Sequence, residues 1–145
     1  MSDGDPEYDT DFRENPEDYE IGRGEEGVFK VQPYKSELLP LWTFKTPEEA
    51  EESAEAILGK YEEYRENDDF PGMDMARKYL RMGYTRSMRY ARYPGGTKYK
   101  DGEEREPEEW ADPEKREAAL RFEQRLERVR DDEAYRRAKE AHRKR

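Results

Sequence analysis

The chain has no cysteine and a single histidine, His142. Disulfides and thiolate metal sites are thereby ruled out. Zinc sites built from His and Cys, and nucleophiles driven by a His base, have too few ligands or bases to form. Ser36, Ser53 and Ser87 have no recognisable base partner for nucleophilic catalysis. No apolar run approaches the length of a membrane span. The acidic opening "MSDGDPEYDTD" does not read as a signal peptide, so a cytoplasmic protein with no membrane partner is expected. Apolar residues are scarce as well. Only 32% of the 145 residues are hydrophobic while 46% are charged, which allows a small core but not a large one.

What is present is charge, in blocks. The chain carries 28 basic and 38 acidic side chains, a net of −10. Residues 1–26 hold 11 acids against 2 bases, and residues 46–69 hold 10 acids against 2 bases. Between Ala76 and Lys100 there are 8 bases and no acid. One basic block set against two acidic ones is the strongest pattern in the sequence. The acid excess, together with 18 Arg against 10 Lys, suits a salt-loaded cytosol in which carboxylates keep a protein hydrated, a halophilic reading.

Local signals predict a small, mainly α single domain of about three helices with a short extended N-terminal segment. Residues 1–20 read as an acidic, mobile arm and 21–100 as the compact core. Residues 101–111 read as a linker and 112–145 as a charged C-terminal helix. "GVFKVQPY" alternates briefly and is expected to be extended. "SELLPLWTF" reads as core-forming turns because Pro40 interrupts any helix. Thr46, Pro47 and Glu49 mark a helix start, followed by an apolar stripe at Ala50, Ala54, Ile57, Tyr61 and Tyr64. "DDFPG" turns the chain into a second helix, and "YPGG" stops it. Gly83 is a possible break within that helix. Asp112 and Pro113 open the C-terminal helix, whose seam at Ala119, Phe122, Leu126 and Val129 fades beyond Asp132.

The second helix carries the functional expectation. At about 100° per residue, Ala76, Leu80, Tyr84, Ser87 and Ala91 gather on one face. Arg77, Lys78, Arg81, Arg86, Arg89 and Arg92 spread over the opposite half. Five tyrosines lie in the same block (Tyr79, Tyr84, Tyr90, Tyr93, Tyr99). Guanidinium groups fork phosphates and phenol rings stack on bases, so interleaved Arg and Tyr suit nucleic acid. The expected binding residues are Arg77, Lys78, Arg81, Arg86, Arg89, Arg92 and Lys98, with Tyr90 and Tyr93 stacking. The alternative is a protein-interaction module, its basic helix neutralised by its own acidic helix or by an acidic protein surface.

Two further patterns were weighed. "GRGEEG" formally matches G-x-G-x-x-G, but a strand-like stretch follows it and Glu25 and Glu26 would repel a pyrophosphate, so a Gly-rich turn is the reading and no cofactor is expected. Glu25, Glu37 and Asp74, with Asp68 and Asp69, are oxygen ligands that would suit Mg²⁺ in a metal-dependent phosphodiesterase, but no diagnostic spacing joins them. They stand as weak metal candidates only.

"GRGEEGVFKVQPYKSELLPLWTFKTPEEA" and "FPGMDMARKYLRMGYTRSMRYARYPGGTKY" resemble a family of short proteins from bacteria, archaea and tailed phages, the domain-of-unknown-function family numbered 4385. The resemblance runs from about Asp11 to Tyr99. It implies a compact single domain and places Glu25, Lys35, Glu37, Asp74 and Arg77 in the family's motifs. It implies no activity and transfers no catalytic residue.

Overall fold

The computed structural model describes residues 10–22, 25–96, 99–100, 102–104 and 111–145. Each of its three long helices begins with a proline in the first turn and a side-chain cap. Thr46 accepts from the Glu49 amide and opens α2 (Pro47–Glu66), which follows a single-turn α1 (Tyr34–Leu38). Asp69 accepts from the Gly72 amide and opens α3 (Phe70–Arg92). Asp112 accepts from the Glu114 and Lys115 amides and opens α4 (Pro113–Asp131). Such caps satisfy amides that the first turn leaves without partners, at about 1 kcal/mol each.

The C-terminal segment is two helices rather than one. Asp132 is extended (ψ 116°), and its side chain accepts from the Ala134 amide to start α5 (Glu133–Arg143). The same carboxylate accepts from the Tyr61 hydroxyl at 2.6 Å, and Arg65 lies 3.4 Å away. A side chain that serves both a new helix and a neighbouring helix overrides helical continuation. The apolar seam therefore resumes, re-aimed, as Tyr135, Ala138 and His142, which all pack on the core.

Helix α3 is the central element, packed along both α2 and α4, which also touch each other. Its first half is buried on every side, from Phe70 through Leu80 except at Arg77. Gly83 does not end it. The Phe122 ring of α4 lies so close that a Cβ at Gly83 would stand 2.4 Å from it. The glycine is a packing site, where two helices approach more closely than any side chain permits.

Two N-terminal expectations change. Residues 25–30 are turns, held by bonds such as Val31 amide to Gly27 carbonyl at 2.9 Å, so Val28 and Val31 reach the core without a strand. Within the stretch expected to be a mobile arm, residues 10–20 are anchored, because Phe12 and Tyr19 are buried. Residues 1–9 lie outside the described part. Two-residue strands β1 (Tyr99–Lys100) and β2 (Glu103–Glu104) pair in a hairpin after α3. Among the described residues, no helix is long and apolar enough to cross a membrane.

Candidate nucleic-acid interface

The basic block divides along α3. In the first half the cations are structural. Asp74 is fully buried and accepts from the Tyr19 hydroxyl (2.5 Å), the Tyr135 hydroxyl (2.7 Å) and Arg77 Nε (2.9 Å). Burial pushes the Asp74 carboxyl up, but the Arg77 charge and the three donors outweigh it, leaving Asp74 below the usual aspartate range. Burial and the Asp74 charge push Tyr19 and Tyr135 well up, so both remain hydroxyl donors. Lys78 is only 2% exposed. Its Nζ donates to the Glu26 carbonyl at 2.6 Å and lies 5.6 Å from the Tyr19 ring centre. Arg81 is half-buried, and its Nε is enclosed without a partner among the described residues.

In the second half the cations face outward. Arg86, Arg89 and Arg92 are exposed, while Ser87 and Ala91 between them are buried as the anchored back. None of the three forms an ion pair among the described residues. Arg89 Nε donates to the Gly96 carbonyl at 2.8 Å. Gly96 has φ +73°, and a Cβ there would meet the Tyr90 ring at 2.8 Å, so a glycine is needed for the turn to close over the tyrosine. Tyr90 remains 38% exposed, and Tyr93 is half-buried. Lys98 lies outside the described residues.

Aromatic residues that the sequence reading assigned to the core complete this surface. The Arg86 guanidinium lies 5.8 Å from the Phe29 ring centre and 5.7 Å from that of Trp42. Phe29 is itself 42% exposed. Trp42 packs edge-on against Phe44 with ring centres 5.2 Å apart, and Phe44 meets Tyr90 at 5.9 Å. Lys115, from the first turn of α4, donates to the Phe44 and Lys45 carbonyls and sits 4.8 Å from the Phe44 ring centre. Two shallow clefts result, sharing Tyr90 as a wall. One, of about 560 Å³, is lined by Thr85, Arg86, Arg89 and Gly96, with Glu25 as its one carboxylate. The other, of about 420 Å³, is lined by Trp42, Thr43, Phe44, Lys45 and Lys115. The Trp42 indole N–H is enclosed there without a hydrogen-bond acceptor among the described residues. The sequence offered one clue: Trp42 and Phe44 alternate with a polar Thr43, the pattern of an extended segment with one half-covered face.

The acids of α2 point elsewhere. Arg125 of α4 bonds both Glu51 and Glu55, with Nη1 to Glu51 at 2.9 Å and Nε to Glu55 at 3.1 Å. Arg121 lies 3.8 Å from Glu51. Among the described residues, no α2 carboxylate pairs with a cation of α3.

The weak metal candidates stand in separate settings. Glu25 accepts from the Thr85 hydroxyl at 2.6 Å. Glu37 is forked by Arg13 at 2.8 and 2.9 Å and accepts from the Tyr64 hydroxyl at 2.7 Å. Asp74 is enclosed as described. Asp69 accepts from Tyr34 and Arg13 as well as capping α3. No group of three or more His, Asp or Glu positioned to hold a metal occurs among the described residues.

Residues 3–145 match the family described as a domain of unknown function, DUF4385. The chain belongs to this family. DUF4385 therefore takes in α4 and α5, which the resemblance read from the sequence had placed outside it. No curated protein and no solved structure matches the chain.

Proposed function

We propose that this DUF4385 protein is a non-enzymatic accessory protein that binds single-stranded nucleic acid through the second half of α3. The carrying observation is the conjunction of three exposed, ion-pair-free arginines with a run of partly exposed rings. Arg86, Arg89 and Arg92 supply phosphate contacts, and Tyr90, backed by Phe44 and Trp42, supplies a stacking platform. Single strands are favoured over duplex because stacking needs a base free of its partner. The acid excess elsewhere fits a salt-rich cytosol, where the Debye length near 1 M salt shrinks to about 3 Å. Contact at that range rests on stacking as much as on charge.

Fluorescence anisotropy of labelled single- and double-stranded oligonucleotides, across a salt series, tests the reading. Binding is expected to be tighter for single strands. Replacing Arg86, Arg89 and Arg92 together by Gln is expected to flatten the log–log salt slope by about 2, near 0.7 per lost phosphate contact. Absence of binding at every salt concentration that preserves the fold would overturn it. The second reading is an acidic protein surface docking on the same arginines. It is favoured by the absence of α2 carboxylates from this face, and it predicts capture of an acidic helix with no oligonucleotide binding.

A further inference from the structure

A second basic surface lies on the other side of α3, built from parts that the sequence scatters. Helix α5 carries two stripes. Tyr135, Ala138 and His142 turn inward, and Arg136, Lys139 and Arg143, at spacings of three and four, run beside them. With Arg130 from the end of α4 and Arg77 from α3, they line a cleft of about 640 Å³ closed on one side by Ile21 and Gly22. No carboxylate lines this cleft. Arg77 is twelve residues from Arg89, roughly 18 Å along the helix axis and about 120° around it, so the two surfaces are distinct.

The five cations are poorly accounted for by the fold alone. Arg77 is committed to Asp74 at 2.9 Å, and Lys139 lies 5.9 Å from the Tyr135 ring centre. Arg136 has a long, exposed pair with Asp131 at 3.5 Å, and its Nε donates to the Arg130 carbonyl. Arg130 and Arg143 have no ion-pair partner among the described residues. A helix C-terminus favours cations and so suits Arg130 and Arg143, but Arg136 sits in the first turn of α5, where the dipole disfavours one. Like charges gathered in a chain of net −10 leave a repulsion that a bound anion relieves. The floor is fixed from below, since Arg77 and Tyr135 are both bonded to buried Asp74.

We infer that this cleft binds a small polyphosphate, an anion carrying several linked phosphate groups. Guanidinium forks match phosphate oxygens in pairs, and four of the five cations are arginines. The volume exceeds what one phosphate fills and falls within the range of small-ligand sites. Base recognition is not part of it, because the one aromatic lining residue, Tyr135, is buried with its hydroxyl engaged.

The test is calorimetric titration of the full chain with tripolyphosphate, with orthophosphate and sulfate as comparisons, at about 0.15 M salt where surface charge is screened beyond roughly 8 Å. Tripolyphosphate is expected to bind more tightly than either comparison. The pair Arg130→Gln and Arg143→Gln is expected to weaken it on the order of tenfold or more, through loss of charge-assisted bonds. Arg86→Gln with Arg89→Gln is expected to leave it unchanged. Should the first pair disturb folding, as read by circular dichroism, Arg136→Gln with Lys139→Gln gives the same readout from exposed or half-exposed side chains. The inference fails if tripolyphosphate does not bind, or if both arginine pairs weaken it equally, which would mark general surface charge. It also fails if Arg130 and Arg143 prove to matter for oligonucleotides but not for tripolyphosphate, which would make the cleft part of a nucleic-acid track. Loss of oligonucleotide binding in the Arg86, Arg89 and Arg92 variant leaves this outcome untouched, so the two proposals fail separately.

Discussion

The two halves of α3 contain the same kinds of side chain in opposite circumstances. In the first half Arg77 and Lys78 are enclosed, and each has a named acceptor, Asp74 and the Glu26 carbonyl. In the second half Arg86 and Arg92 are exposed with no ion pair among the described residues, and Arg89 spends one donor on the Gly96 carbonyl. The difference is what surrounds the helix. The first half is wrapped by α2, α5 and the anchored segment around Tyr19, and the second is covered mainly along one side by α4. Identical chemistry thus serves cohesion at one end and presentation at the other.

Breaking the enclosed end should have the largest effect. Asp74→Ala leaves a buried guanidinium and two buried hydroxyls without their acceptor. Loss of one partner from a buried pair costs about 3–5 kcal/mol. Urea denaturation of this variant should show that loss, whereas Arg89→Gln should stay within about 0.5 kcal/mol of the parent. Equal effects at both sites would erase the distinction between the halves.

Next in size is the junction between the halves. Gly83→Ala should gain up to about 1 kcal/mol from helix propensity alone. Against that, the new methyl would meet the Phe122 ring at 2.4 Å, and overpacking of this kind costs about 1–3 kcal/mol. Net destabilisation, measured by thermal unfolding, is the expected sign. A stabilised variant would show that α3 and α4 can separate locally.

This glycine also marks where legibility in the sequence ends. Helix starts were readable because caps and prolines act within four residues, as at Thr46, Asp69 and Asp112. The stripe on α2 was readable for the same local reason. Gly83 was ambiguous because its partner, Phe122, is 39 positions away. The break at Asp132 depends on Tyr61, and the burial of Lys78 depends on Glu26 and Tyr19, equally remote in sequence. Of the candidate interface, the angular argument placed Arg86, Arg89 and Arg92 together. It could not separate them from Arg77 and Lys78, because a helical wheel knows direction around an axis but not which elements cover which turns.

A smaller effect is expected from acid. The hydrogen bonds from Arg13 hold the Glu37 carboxyl below its ordinary value of 4.5, burial opposing and Tyr64 assisting. Asp74 is likewise held below its ordinary 3.8. A depressed carboxylate contributes stability that is complete above its unfolded value and is lost as pH falls through the folded one. Stability should therefore be level above about pH 4.5 and decline below it. For a partly exposed pair such as Arg13–Glu37 the share is about 1 kcal/mol or less. In Arg13→Gln the first part of that decline, near pH 4, should flatten while the later Asp74 part remains. A decline of unchanged shape would assign all of it to the enclosed network.

The smallest effect on the fold, and the most informative about presentation, is expected at Tyr90. Its ring is partly exposed, and its contacts are Phe44 and the turn at Gly96, so Tyr90→Ala should change unfolding stability by about 0.5 kcal/mol or less. Its effect on a bound single strand should be larger, since stacking of one base contributes about 1–3 kcal/mol. The salt dependence separates its role from that of the arginines. Removing a phosphate contact lowers the salt slope, so variants at Arg86 or Arg89 lose most affinity in dilute salt and least in concentrated salt. Removing a stacking contact shifts affinity by the same factor at every salt concentration. Parallel anisotropy series for Tyr90→Ala and Arg89→Gln should accordingly converge with different partners: Arg89→Gln approaches the parent as salt rises, and Tyr90→Ala keeps its distance. If Tyr90→Ala also converges on the parent, the ring supports the arginines rather than meeting a base, and the exposed half of α3 is a charge surface alone.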